Sequence, residues 1–189
     1  MVVTETGEPV VMARVDLMMD NGTVPGVHQL GELIDSVDSS TEGRFAFEGL
    51  EPGERMVLRV THDEYTMGRA YDINAAERST MYQIVTVRRG SQIRGAITHT
   101  DGRPLEGVRV ACYDINVQAY EPEDQIERFT LSASDGGYEL NGLAKGMKRV
   151  VASQKGLATS TRPTLQVPTS AYVDFLMTAG FVIEGTVVE

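Results

Sequence analysis

The chain repeats itself, and that repeat constrains its fold more than any other feature of the sequence. Gly7-Glu8-Pro9-Val10 with Arg14-Val15 reappears as Gly102-Arg103-Pro104-Leu105 with Arg109-Val110, 95 residues later. Glu42-Gly43-Arg44-Phe45-Ala46-Phe47-Glu48-Gly49-Leu50 returns as Asp135-Gly136-Gly137-Tyr138-Glu139-Leu140-Asn141-Gly142-Leu143, 93 residues on, and Gly53 and Gly146 follow at equal distance. Gly90-Ser91-Gln92-Ile93-Arg94-Gly95 is echoed by Gly180-Phe181-Val182-Ile183-Glu184-Gly185. Self-similarity at one long period marks tandem units built to one plan, and the drift in offset places the length differences in loops. The repeat implies a first domain over 1–89, a second over 90–179 and the start of a third copy over 180–189. Copy one has no counterpart of residues 90–95, because Met1 aligns with Ala96. The expectation is a cut through a longer array, with any leader, anchor or enzyme domain outside this stretch.

Within each copy the apolar period is two, the period of a strand. Arg55-Met56-Val57-Leu58-Arg59-Val60-Thr61 puts Met56, Leu58 and Val60 on one face and two arginines on the other. Phe45 and Phe47 flank Ala46 as Tyr138 and Leu140 flank Glu139. Val108, Val110 and Cys112 form an inward set that copy one supplies as Ala13, Val15 and Leu17. Asn21-Gly22, Glu42-Gly43, Pro52-Gly53, Asp101-Gly102 and Asp135-Gly136 punctuate the runs as turns. Short alternating strands between such turns predict an all-β chain: two tandem Greek-key sandwiches of about seven strands each, plus the first strand of a third. Asn74-Ala75-Ala76-Glu77 has the spacing of a capping box and opens one candidate short helix. The longest connections, 20–41 and 114–128, occupy equivalent places in the two copies.

Composition enters through what it excludes. Seventeen basic against 27 acidic residues give a net charge of −10, which repels phosphate backbones and anionic lipid. Nucleic acid and membrane surfaces are therefore not expected partners. A single cysteine, Cys112, forms no internal disulfide, and no apolar run spans a bilayer. A copy of about 90 residues buries roughly 60–65% of its unfolded surface, enough for a core without metal or disulfide.

The stretch Gly95-Ala-Ile-Thr-His-Thr-Asp-Gly102-Arg-Pro104-Leu-Glu-Gly107-Val-Arg-Val110, followed by Ser134-Asp-Gly136-Gly-Tyr138-Glu-Leu140-Asn-Gly142-Leu143, resembles the carboxypeptidase regulatory-like domain, a transthyretin-like or prealbumin-like sandwich. Copy one carries the resemblance from Val2 to about Val87 and copy two from Gly90 to Met177. The resemblance implies non-catalytic modules, often in tandem on secreted or surface proteins. It carries over no functional residue, since the matched positions are turns and core.

The chemistry-bearing residues give no convergent site. His28, His62 and His99 stand far apart at predicted turns or strand ends and read as surface histidines. Tyr65, Tyr71 and Tyr82 have no compact histidine pair beside them that would make an iron centre. Cys112 reads as a small core hydrophobe. Ser79, Ser91, Ser132, Ser134 and Ser153 lack a nucleophile elbow. Glu121-Pro122-Glu123-Asp124 lacks the alternating ligands and mid-loop glycine of a calcium loop, and Asn21-Gly22-Thr23 reads as a turn before it reads as a sequon. Copy one contains no lysine; Lys145, Lys148 and Lys155 are the only three, so a Lys–Asn cross-link is excluded from copy one and not expected in copy two.

The sequence therefore predicts no enzyme, no cofactor, no catalytic or metal residue, and a binding site that is unknown. The expected role is structural: spacer or presentation modules in an extracytoplasmic or cell-surface protein, with neighbouring domains of that protein as partners. The competing reading is a carbohydrate- or protein-binding module acting through loops 20–41 and 114–128. The absence of tryptophan and an aromatic content of 6% weigh against sugar stacking. The strand-like segment 180–189 is expected either to pair with copy one of another molecule or to extend the second sandwich.

Overall fold

A computed structural model describes residues 1–22, 28–74, 80–115, 126–167 and 170–181. The chain divides into two compact units, the first mainly Met1–Ser91 and the second mainly Gln92–Glu189. All regular structure in the described residues is β, and no helix among them is long and apolar enough to cross a membrane.

The first unit contains β1 (Val2–Thr4), β2 (Arg14–Asp20), β3 (Leu30–Asp38), β4 (Arg55–His62), β5 (Tyr65–Asn74) and β6 (Val85–Val87). One sheet has the order β3-β2-β4-β5, and the short parallel pair β1-β6 forms the other. Val15, Leu17, Met56, Leu58 and Val60 from the large sheet meet Val2, Val85 and Val87 from the small one in a single apolar core. The inward phase expected for Met56, Leu58 and Val60, and for Ala13, Val15 and Leu17, is observed; each is at most 2% exposed.

The second unit contains β7 (Ser91–His99), β8 (Arg109–Asp114), β9 (Ile126–Leu131), β10 (Gly137–Leu143), β11 (Gly146–Ser153), β12 (Ser160–Val167), β13 (Ser170–Tyr172) and β14 (Phe175–Met177). One sheet runs β12-β11-β8-β9. In the other, β7 lies between β10 and β13 and also pairs with β14. Val108, Val110 and Cys112 are fully buried, as their phase requires.

The repeat is visible as a repeated hydrogen-bond frame. Val2 pairs with Val85 in the first unit as Ile97 pairs with Phe175 in the second. Val2 N–H donates to Gly43 O at 2.7 Å, and Ile97 N–H to Gly136 O at 2.9 Å. Gly43 and Gly136 both have positive φ, +70° and +79°, and a Cβ on either would run into the carbonyl of the strand it caps. The sequence identity at these two positions thus has a backbone cause.

Some expectations need correction, and others fall outside the described residues. The connection 20–41 is not a loop throughout: it contains β3, an edge strand whose residues are mostly exposed and carry Glu32, Asp35 and Asp38. Such a strand has no buried face and gives no alternation to read. The connection 114–128 likewise ends inside β9. The alternation around Phe45–Phe47 predicts a strand, yet residues 44–50 join no ladder among the described residues. The candidate helix at Asn74–Glu77, Ser79, Thr23 of the sequon, the acidic run Glu121–Asp124 and residues 182–189 of the expected third copy lie wholly or largely outside the described residues.

Candidate functional site

The polar residues singled out by sequence resolve into separate structural stitches. His28 Nδ1 lies 2.8 Å from Asp20 Oδ2 and its ring stacks on Tyr71 at 4.3 Å. Asp20 also accepts from Gly22 N–H, Gln29 N–H and Arg55 Nη2. Burial pushes the Asp20 carboxyl up, but His28, the two backbone donors and Arg55 outweigh it and hold the group below the ordinary range. His99 sits 3.0 Å from Asp101, and His62 packs beside Tyr65. His28 and His99 are half-buried and paired, with side chains 17% exposed, which corrects the reading of them as surface groups. Among the described residues no three His, Cys, Asp or Glu side chains are placed to hold a metal ion.

Asp16, four residues before Asp20 on β2, is clamped by Arg59 at 2.8 Å, Ser36 at 2.7 Å and Arg14 at 3.0 Å. Its burial would raise the carboxyl, yet these bonds hold it low. Cys112 is buried and its thiol is pushed up to about 12, chiefly by burial and then by the Glu127 charge, so it is no nucleophile at neutral pH. Ser132 Oγ donates to Leu105 O at 2.6 Å and accepts from Val108 N–H at 3.0 Å. Ser39 makes the same pair of bonds to Val10 O and Ala13 N–H. The serine staples the end of one strand to the turn that precedes another, β3 to the approach to β2 and β9 to the approach to β8, and its repetition in the sequence was the available signal.

Lys148 is the residue that sequence reading missed. Its side chain is 1% exposed and points into the core with Val150 and Ala152, forming ion pairs with Glu127 at 2.6 Å and Asp114 at 2.9 Å. Burial lowers the ammonium pKa, but the hydrogen bonds to Glu127 and Asp114 more than offset this and raise it above the ordinary lysine value. The alternation Lys148, Val150, Ala152 carried the signal, hidden by the assumption that a lysine faces water.

A groove of about 910 Å³ lies in the first unit. The unladdered segment 44–50, with Phe45, Phe47 and Leu50, and residues 80–84 line it. Leu17, Met56, Leu58, Ile73 and Met1 also line it. The Phe45 and Phe47 rings, 6.0 Å apart, are half-buried, whereas their counterparts Tyr138 and Leu140 are buried at 6% and 2%. Met81 and Ile84 on the opposite wall are 48% and 67% exposed.

Comparison with known proteins bears on the second unit. Residues 92–178 match the family described as the carboxypeptidase regulatory-like domain. The second unit is thus similar to that family over nearly its whole length, and the first unit shares its hydrogen-bond frame. No curated protein matches the chain. Among solved structures, a cohesin–X-dockerin complex from Acetivibrio cellulolyticus is 16% identical over 48% of this chain and 58% of that one, with a TM-score of 0.38. A mutant of the shaft pilin SpaA from Lactobacillus rhamnosus GG is 12% identical over 96% and 97%, with a TM-score of 0.38. The minor pilin GBS52 of Streptococcus agalactiae is 12% identical over 96% and 89%, with a TM-score of 0.36. These are distant likenesses.

Proposed function

We propose that the chain is a pair of non-catalytic structural modules, spacing or presenting other domains of a larger extracytoplasmic or cell-surface protein. The observation that carries this reading is what the two units share. They repeat the staple serines, the capping glycines and the strand register, and they do not repeat the polar clusters: Asp20–His28–Arg55 in one unit answers to a buried Lys148 cluster in the other. Duplicated scaffold with unduplicated chemistry is the signature of a fold kept for its shape. The regulatory-like family of the second unit supports the same reading. Each unit is taken as a Greek-key sandwich of about seven strands, with boundaries at 1–89 and 90–179 and a third copy opening at 180–189. The partners are the neighbouring domains of the parent protein.

Thermal unfolding against calcium and a panel of polysaccharides tests this reading. A ligand at a hundredfold excess over its Kd stabilises the native state by about 2.7 kcal/mol. The structural role predicts no shift with any of them. A shift of several degrees with one polysaccharide would replace it with the binding-module reading.

A further inference from the structure

We propose that the outer face of the β12-β11-β8-β9 sheet in the second unit is an interaction surface, and that its occupant is the edge strand β3 of a second copy of this chain. The two large sheets carry the same outward row with opposite character. In the first unit it runs Ser36↔Asp16↔Arg59↔Arg69, and Asp16 is bonded to Ser36 and Arg59, a polar surface suited to water. In the second unit the row runs Phe129↔Ala111↔Val151↔Thr161. Phe129 and Leu131, on the same side of the edge strand β9, are each 60% exposed. An apolar row on the outside of a sheet, where its duplicate is polar, marks a contact surface.

The arginines beside this row have no anion. In the first unit Arg14 pairs with Asp16 at 3.0 Å and stands in register with Asp38. Its counterpart Arg109 meets Ala111 and Leu131 at those two places, and lies instead over the Phe129 ring at 4.9 Å. Arg149 lies over Tyr113 at 4.7 Å, and its Nε is buried without a hydrogen-bond partner. Neither arginine forms an ion pair among the described residues. The outward positions in register across β9, β8 and β11 include no acid, in a chain that has 27. Cations held in place by rings, next to exposed apolar side chains, suit a partner that offers carboxylates and aliphatic groups together.

The chain itself carries that chemistry. β3 is the equivalent edge of the first unit. Its Glu32, Asp35 and Asp38 form no ion pair among the described residues, and Leu33 and Ile34 are 46% and 40% exposed. Neither β3 nor β9 contains a lysine or a proline, the residues that guard a free edge, whereas β12 carries Pro163 and β5 is bridged at Tyr65↔Arg89. β3 against β3 would set carboxylate on carboxylate, and β9 against β9 would leave the arginines without an anion. β3 against β9 satisfies both. An added strand of this kind gains hydrogen bonds from the backbone and specificity from its side chains. Donor and acceptor are different surfaces, so the contact is head-to-tail. This inference stands apart from the structural role and does not depend on it.

The test is sedimentation velocity of the full chain with a charge swap. The parent is expected to show mass rising with concentration at low salt, and less so as salt screens the charges. Arg109→Glu places an acid on the acceptor, and Glu32→Arg with Asp35→Arg places bases on the donor. Each of these two variants alone is expected to associate about tenfold or more weakly, because like charges then meet, with the folded far-ultraviolet spectrum intact. An equimolar mixture of the two is expected to recover association, since every contact across the mixture again joins opposite signs, and such recovery also separates the contact from misfolding. A parent chain that is monomeric at every concentration, single variants that associate as the parent does, or a mixture that stays monomeric overturns the proposal.

Discussion

Replacing Lys148 by methionine is expected to destabilise the second unit, although methionine is the residue the first unit uses at that rung. Lys148 faces Asp114 across the ladder as Met56 faces Met19, two rungs from Val150↔Cys112 and Leu58↔Leu17. The single variant leaves Asp114 and Glu127, with side chains 23% and 9% exposed, holding negative charge without a cation. Removing one partner of a buried pair costs about 3–5 kcal/mol, and the partial exposure of Asp114 places the cost near the lower end. At 4–8 °C per kcal/mol for a unit of this size, the calorimetric midpoint of the second unit falls by roughly 12–24 °C. Lys148→Met combined with Asp114→Met and Glu127→Ile, the residues at the same ladder steps in the first unit, is expected to recover most of that loss, because a well-packed apolar set often replaces a buried ion cluster at no cost. A single variant as stable as the parent would refute the reasoning. So would an intact mass one water lighter than the sequence, which would show the Lys148 amine condensed with a carboxyl to an amide.

The other expectations follow from the same contacts. The raised Lys148 contributes stability that is complete below the ordinary lysine pKa of about 10.4 and is lost as pH rises through its folded value; the second unit should weaken more steeply in alkali than its triple variant, by denaturant titration. Asp16 and Asp20 are held low, so their contribution is complete above about pH 3.9 and is lost as pH falls through their folded values; Asp16→Asn should flatten the acid limb of the first unit's stability curve. Ser132→Ala strands Val108 N–H and Leu105 O without their partner and should cost about 1–3 kcal/mol, matched by Ser39→Ala in the first unit. Cys112 should resist a thiol reagent in the native chain and react once it is unfolded.

Much of the architecture was legible because the repeat carried it. Turn glycines such as Gly43 and Gly136 recur where the backbone needs a positive φ beneath a strand carbonyl, and alternation located Met56, Leu58, Val60, Val110 and Cys112 correctly. What stayed hidden had physical reasons. The edge strand β3 has no buried face, so its polar surface reads as a loop. Lys148 is a core residue whose type argues for water. Phe45 and Phe47 have the alternation of a strand, and alternation reports a side chain's face without reporting whether a neighbouring strand is present.

The central claim is that one sandwich plan is built twice and that in the first copy the segment 44–50 joins no ladder among the described residues. Hydrogen exchange measured at low protein concentration tests this most directly. The account predicts fast exchange across Phe45–Leu50 and strong protection across the equivalent Tyr138–Leu143. Equal protection of the two segments would contradict it.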